Sequence, residues 1–422
     1  MSPLRAAWRD WAAALSAFSR PARLLLFASL LAWTGFGINQ VLFNLYLVEA
    51  GFDEAFVGRA IALNGLGLAL AALPAGALAE RWGRRRCLIL GAALEGLGIL
   101  LRAVWLRPEA IYAGGFVAGA GQGWIAIAAA PFMTEHSTAR ERTHLFSAYF
   151  AVALLAGVAG SLLGGWIPPA LLRLPLGLEA LGAYRGTLVL SALVGWSSLA
   201  PLAAMRLGRE PALVHDAATR GAPALRLLVP IALNAFLIGA GAGLVIPFMN
   251  LYFKTRFDCS SAQIGVFFSI AQVMTATAAL LGPLIARRFG KLRTATAFEL
   301  MSLPFLVTLG FEHRLDLAVA AFWVRATLMQ AATPLISAFV MEALPPALRA
   351  RSTSLNNLVW NAGWATSAVA SGAVIGRFGY EVPFYFTAGL YLTASLGFYL
   401  RFRGTVETRA EPAPAEAVAA PP

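Results

Sequence analysis

The sequence predicts an all-α membrane protein of twelve transmembrane helices, arranged as two six-helix bundles related by a parallel pseudo-two-fold repeat. Three observations predict it: a composition too apolar for a soluble chain, a succession of apolar runs each long enough to cross a bilayer, and an internal repeat at an offset of about 206 residues. Of the 422 residues, 59% are hydrophobic and 13% charged, and the mean hydropathy is +0.69. Soluble domains carry about 25% charged residues, so the apolar excess here has to face lipid. A hydrocarbon core about 30 Å thick takes roughly 20 apolar residues per helix. Twelve such spans with short loops use up the chain and leave no room for a separate soluble domain.

Taken in order, residues 1–23 combine Arg5, Arg9, Arg20 and Arg23 with Trp8, Trp11, Leu15 and Phe18 near helical spacing, which predicts an amphipathic segment on the cytoplasmic surface. The apolar run from Leu24 is too long for the core of a cleaved signal peptide and reads as the first span. The first bundle, 24–205, has spans near 24–48, 56–79, 86–106, 110–133, 143–167 and 187–205. The second, 227–403, has them near 227–252, 262–286, 294–311, 317–341, 353–376 and 383–400. The longest polar break, 206–226, is the expected linker, and the Ala-, Pro- and Glu-rich tail 404–422 is expected to be disordered.

The net charge of +12 could suggest a nucleic-acid partner, but the basic residues fall between apolar runs rather than on one polar surface. Membrane topology accounts for them. With the N-terminus placed in the cytoplasm, 23 Lys and Arg lie on inner segments and 9, Arg102 among them, on outer segments and outer helix ends; Arg325 alone is mid-span. The expectation is a multi-pass protein of the cytoplasmic (inner) membrane with both termini cytoplasmic. Cys87 and Cys259 fall on opposite sides, so no disulfide is expected. The four histidines have no metal-ligand spacing and no nucleophile constellation is present, so neither metal, cofactor nor enzymatic activity is assigned.

The repeat shows in three places. Phe43-Asn44-Leu45-Tyr46 recurs as Met249-Asn250-Leu251-Tyr252, and the segment from Ala79 to Arg86 is echoed from Ala286 to Arg293. Glu135 with Arg142, seven residues on, recurs as Glu342 with Arg349. Six spans being an even number, the second half enters the membrane in the same sense as the first, the arrangement of transporters that enclose a midplane site between two bundles.

The run from Gly76 through Glu80, Arg81, Gly83 and Arg84 to Arg86 resembles the loop signature of the major facilitator superfamily: Gly, three residues, an acid, Arg, any residue, Gly, then a basic run. The resemblance covers about residues 20–403. It implies secondary transport by alternating access, with spans one, four, seven and ten lining the cavity and three, six, nine and twelve peripheral. Gly119, Gln122 and Gly123 in span four, and Gly160 to Gly165 in span five, keep parts of antiporter signatures but lack their Arg and Pro. The Glu-to-Arg pairs resemble the charge network of sugar porters, whose other motifs are absent.

Two groups of charges are candidates. At the cytoplasmic helix ends, Glu80, Arg84, Glu135 and Arg142, with Arg288, Gly290, Glu342 and Arg349 in the other half, form an expected gate; the plain alternative is that basic loops obey the positive-inside rule. Within the membrane, Arg325 is nine residues from Asp316 and Glu95 nine from Arg86, about 14 Å along a helix. Intramembrane charge is costly and tends to be functional. Arg325 would serve as counter-charge or relay partner, or else as half of a fixed ion pair with Glu299. Glu95 and Glu299 are the proton-coupling candidates, a carboxyl that deep being able to carry a proton. Asn39, Gln40, Gln122, Asn234 and Gln330 lie on expected lining helices, and Asn357, Trp360, Asn361 and Trp364 share one face of span eleven. The reading is proton-coupled export of a small amphipathic compound by a monomer in the bilayer. An importer of an anionic metabolite and a non-transporting sensor or lipid-binding module remain open.

Overall fold

Twelve long helices, each starting close to where the preceding one ends, make up the chain in this computed structural model, which describes residues 17–138, 141–175, 177–205 and 222–404. The first half holds α1 (Arg20–Glu49), α2 (Glu54–Trp82), α3 (Arg84–Val104), α4 (Pro108–Glu135), α5 (Arg142–Arg173) and α6, which runs as Ala180–Ser197 and Leu199–Ala203. The second holds α7, built of Ala222–Val245, the 3-10 turn Ile246–Phe248 and Met249–Phe257, then α8 (Ser261–Phe289), α9 (Lys291–Phe311), α10 (Leu315–Ala343), α11 (Pro346–Phe378) and α12 (Glu381–Phe402). Ten of these are long and apolar enough to cross a membrane by length and composition alone. The other two are α11 and α12: α11 carries Arg349 and Arg351 near its start and Asn356, Asn357 and Asn361 beyond, while α12 is diluted by Tyr, Thr and Ser. Span six starts at Ala180, earlier than expected, because Tyr184 and Arg185 continue the helix rather than end it. Most of the expected amphipathic segment, residues 206–221 of the linker and the tail beyond Gly404 lie outside the described residues, while 222–226, expected in the linker, already belong to α7.

The helices alternate between two faces of the molecule: a terminal face, where α1 begins and α12 ends, and a distal face. The repeat is written into the turns. Single glycines join α2 to α3 and α8 to α9, Gly83 at φ 87° and Gly290 at φ 86°, a left-handed conformation that a side chain would resist. At the distal face Gly51 (φ 88°) ends α1 and Asp258 (φ 49°) ends α7. Asp53 then caps α2 by accepting from the Phe56 N–H, and Ser260 caps α8 in a reciprocal box with Gln263. The Tyr46 hydroxyl donates to the Ala103 carbonyl at 2.6 Å, and its repeat equivalent Tyr252 donates to Leu309 at 2.7 Å.

The packing differs between the faces. Toward the distal face one apolar core is shared by both halves, with Leu42 and Tyr46 in the same cluster as Phe248, Tyr252 and Phe322. Toward the terminal face the halves have separate cores, one around Phe132 and Leu145, the other around Phe339 and Phe398. Among the described residues, the hydrogen bonds that join the halves follow the same division. They run between α1 and α7 near the distal face and, between α5 and α8, from Ser261 at the distal end to Gln272 about midway. The halves therefore meet distally and part toward the terminal face.

Candidate functional site

Where the halves part lies a cavity of about 330 Å³, formed between α1, α2, α3 and α4 of one half and α7, α8 and α11 of the other. Its distal floor is a clasp on the pseudo-two-fold axis. Asn44 Nδ2 donates to the Pro247 carbonyl at 2.6 Å, and Asn250 Nδ2 donates to the Val41 carbonyl at 2.9 Å. Donors and acceptors are both repeat equivalents, so each half holds the other by the same contact. The two amides also meet directly, Asn44 Nδ2 to Asn250 Oδ1 at 3.3 Å.

The walls are aromatic and amide. Phe36 and Phe43 come from α1 and Phe268 from α8; Trp360 and Trp364, one helical turn apart on α11, stack with ring centroids 5.2 Å apart. Of the expected cavity residues, Asn39, Gln40, Gln122, Trp360, Asn361 and Trp364 line it. Asn234, Gln330, Asn357 and Arg325 are not brought to it. Asn357 is a turn nearer the terminal face on α11, where its carbonyl accepts from Asn361 Nδ2. Arg325 is 3% exposed and turned toward α12, with Nη2 donating to the Tyr391 hydroxyl at 3.2 Å.

The cation that does line the cavity is Arg102, in the last turn of α3, a position for which the sequence alone predicts no role in the cavity. Helix side chains lean toward their own N-terminus, and the N-terminus of α3 is at the terminal face, so Arg102 reaches back from the distal end toward the middle of the bundle. It is 3% exposed. Its guanidinium sits 4.0 Å from the Phe43 ring centroid and Nη2 donates to Asn39 Oδ1 at 3.1 Å. Two turns earlier on the same face of α3, Glu95 accepts from Gln122 Nε2 at 3.3 Å. Gln122 lines the cavity, so the carboxylate is one hydrogen bond from it. Behind Phe36, Glu95 also borders a void of about 10 Å³, near the size of one water. Span three, which the resemblance makes peripheral, thus supplies both charges nearest the cavity. The spacing of seven between Glu95 and Arg102 is the sequence signal of their shared face.

Asn64 of α2 joins the site without having been singled out by its sequence context, and it explains why α4 lacks the antiporter arginine. A Cβ placed on Gly119 would lie 1.8 Å from the Asn64 carbonyl oxygen, so no side chain fits there. Asn64 in turn donates from Nδ2 to the Gly115 carbonyl at 3.1 Å and lines the cavity.

In the second half Glu299 does not pair with Arg325. Its Oε2 accepts from Ser395 Oγ at 2.7 Å, so α12 separates the two charges, Tyr391 holding one and Ser395 the other. At the terminal face Arg84 pairs with Glu135 and Lys291 with Glu342, both within one half and at equivalent positions of the repeat. The expected partner Arg288 instead lies over the Phe289 ring, 5.4 Å from its centroid. Arg142 donates to the Thr134 and Ser137 carbonyls, and Arg349 to that of Leu344. Arg81 is exposed. The side chain of Glu80 and the surroundings of Gly76 fall outside what the structure describes. Cys87 and Cys259 are buried and not joined in a disulfide, and burial pushes the Cys259 thiol above its usual value.

The family model of the Major Facilitator Superfamily matches residues 25–230 and again 231–422, once per half. The chain belongs to the Major Facilitator Superfamily. It is a multi-pass membrane transporter rather than an enzyme. Among solved structures this superfamily transporter is similar to a bacterial homolog of the human lysosomal transporter Spinster in an inward-facing and occupied conformation, with a TM-score of 0.75 at 14% identity over 93% of this chain and 98% of that one. It is also similar to the nucleoside transporter NupG (TM-score 0.73, 16% identity, 91% and 100% covered) and to a D-xylose-proton symporter (0.69, 14%, 89% and 97%). A search of curated proteins finds no significant match. At these identities the likeness is one of fold.

Proposed function

We propose that the transporter exports a small amphipathic organic solute in exchange for protons, its two halves rocking about the central cavity. The observation that carries this is the Glu95–Gln122 hydrogen bond, which ties a half-buried carboxylate within α3 to an aromatic- and amide-lined cavity lying between the halves. Protonation of Glu95 would release Gln122 and change the cavity wall, linking proton occupancy to solute binding. The surplus of basic residues at the terminal face supports a cytoplasmic placement of that face, and on this reading the cavity opens to the inside. The Arg84–Glu135 and Lys291–Glu342 pairs act as a gate that is held within each half in this state and re-sorted across the halves when the inside closes. The transporter works as a monomer in the inner membrane.

A second reading, import of an anionic metabolite, draws on Arg102 at the cavity wall, not on Arg325. Direction separates the two. Proteoliposomes loaded with pyranine are to be challenged with anionic, neutral and cationic amphipathic solutes under an imposed pH gradient of either sign. Export predicts proton movement opposite to solute movement, abolished in Glu95→Gln. Proton and solute moving together would establish import, and binding with no flux in either direction would establish a module without transport.

A further inference from the structure

We infer that the cavity selects a monoanionic solute with a planar apolar body, its anionic group held by Arg102 and its body laid against the tryptophan pair of α11; the inference rests on the transport reading above and names the substrate class for it. Four observations meet at one point. Arg102 is 3% exposed, and among the described residues it has no ion-pair partner. The acid on its own helix face, Glu95, spends Oε1 on Gln122. The guanidinium is compensated only in part, by one neutral acceptor, Asn39 Oδ1, and by the face of Phe43, while Nε is buried without a hydrogen-bond partner. The same side chain lines the cavity.

A buried cation that has lost its water and has its nearest acid, Glu95, two turns away rather than in contact is only partly balanced, and a carboxylate is the group a guanidinium fork matches best. The rest of the cavity fits the rest of such a molecule. Trp360 and Trp364 offer a stacked aromatic surface across the cavity from α3, and Phe43 and Phe268 continue the apolar lining. Aromatic faces favour offset stacking with a planar ring. Asn64 and Asn361 leave amide groups at the wall for a second polar substituent. A volume of about 330 Å³ accommodates one or two fused rings with a short acidic arm and excludes large lipids.

The direction of Arg102 gives selectivity a mechanism. Its Nη2 bond to Asn39 is the contact an incoming carboxylate competes for, and Asn39 lies on α1, one turn from the Asn44 clasp. Binding at Arg102 therefore acts on the helix that holds the distal face shut.

The test uses matched acid and amide pairs on the purified full chain: 2-naphthoate with 2-naphthamide, indole-3-acetate with indole-3-acetamide, and benzoate with benzamide. Affinity is read by thermal shift and by tryptophan fluorescence, and exchange by counterflow in proteoliposomes. The expected result is that acids bind wild type at least about tenfold more tightly than their amides, about 1.4 kcal/mol. Arg102→Gln is expected to erase the difference, Arg102→Lys to keep part of it, and Arg173→Gln, an exposed distal residue, to leave it unchanged. Equal binding of acid and amide, preference for the amide, or no binding of any acid at millimolar concentration overturns the inference. If Arg102→Gln does not fold, Arg102→Lys decides: an acid-over-amide preference that competing chloride weakens supports the anion site, and loss of any preference in wild type under chloride-free conditions overturns it. Exchange of amides without acids would leave transport standing and remove the anion, whereas acid binding with no counterflow would leave the anion site standing and remove transport.

Discussion

Each half of the bundle sets an arginine and a glutamate inside its spans, Arg102 with Glu95 and Arg325 with Glu299, and the two halves use them differently. In the first half Arg102 and Glu95 share a face of α3 and lie at or one hydrogen bond from the cavity. In the second, Arg325 and Glu299 sit on α10 and α9 and hydrogen-bond to Tyr391 and Ser395, four residues apart on α12; Arg325 Nε, like that of Arg102, is left without a partner, but neither residue lines the cavity. The repeat copies turns, caps, the tyrosine locks and the terminal ion pairs, which belong to the scaffold. It does not copy the membrane-embedded charges. The proposed solute chemistry thus falls where the two halves stopped resembling each other, as expected when a site is grafted on a shared scaffold.

The largest effect expected from this difference is on transport. Glu95→Gln and Arg102→Gln should each lower solute flux by about tenfold or more, about 1.4 kcal/mol or above in the rate-limiting barrier, with folded protein recovered in normal yield. Tyr391→Phe should do the converse. It strips Arg325 Nη2 of its hydroxyl acceptor, and a buried group left unsatisfied costs about 1–3 kcal/mol. A lowered melting temperature with near-normal flux at a permissive temperature is the expected outcome. If Tyr391→Phe stops flux while Glu95→Gln is active and stable, the assignment of the halves is reversed.

A second effect probes the α2–α4 contact. Gly119→Arg rebuilds the antiporter signature in sequence but drives a side chain into the Asn64 carbonyl. Overpacking of this kind typically costs about 1–3 kcal/mol. The variant should lose thermal stability and gain no new export activity. A stable Gly119→Arg protein would mean that α2 and α4 can separate at this point.

The scaffold is legible in the sequence and the site only in part. Span positions follow from apolar run length, and the offset of about 206 residues announces Tyr252 from Tyr46 and Glu342 from Glu135. The face of α11 is readable from spacing, since Trp360, Asn361 and Trp364 all line the cavity. Arg102 is not, because depth along a span is read from the position of a Cα, while an arginine reaches several ångströms along the helix toward its N-terminus. Arg325 escapes for the opposite reason. Its depth is right, but depth does not say which neighbour a side chain turns to, and Tyr391 is 66 residues away. Lys291 is hidden behind Arg288 because the basic run offers several cations and only helix phase decides which one meets Glu342.

A third prediction addresses the two faces rather than the two halves. Asn44→Ala with Asn250→Ala removes the distal clasp, including the paired donations to Pro247 and Val41. At about 0.5–1.5 kcal/mol per hydrogen bond, losing two shifts the balance toward a distally open state by about 1–3 kcal/mol. Spin labels at the exposed distal positions of Arg107→Cys and Arg377→Cys should show a longer distance population that grows in the double variant. The buried Cys87 and Cys259 leave a low labelling background. An unchanged distance distribution would place the closure in the shared apolar core alone.

The smallest effects concern the terminal ion pairs, which are equivalent in the repeat but not in burial. The side chains of Arg84 and Glu135 are 8% and 19% exposed, those of Lys291 and Glu342 27% and 36%. Pairs near the surface contribute about 0–1 kcal/mol, screened by solvent and salt, and a drier pair sits at the upper end. Glu135→Gln should therefore shift the open-to-closed balance more than Glu342→Gln, and its effect should fade less between low and high salt. Fluorescence distances across the terminal face, followed as salt is raised, measure both. Equal shifts with equal salt dependence would show that the pairs act as surface charges, which is what the positive-inside rule alone requires. A larger, salt-resistant shift in Glu135→Gln would identify the first half as the one that sets the gate, the same half that holds the cavity charges.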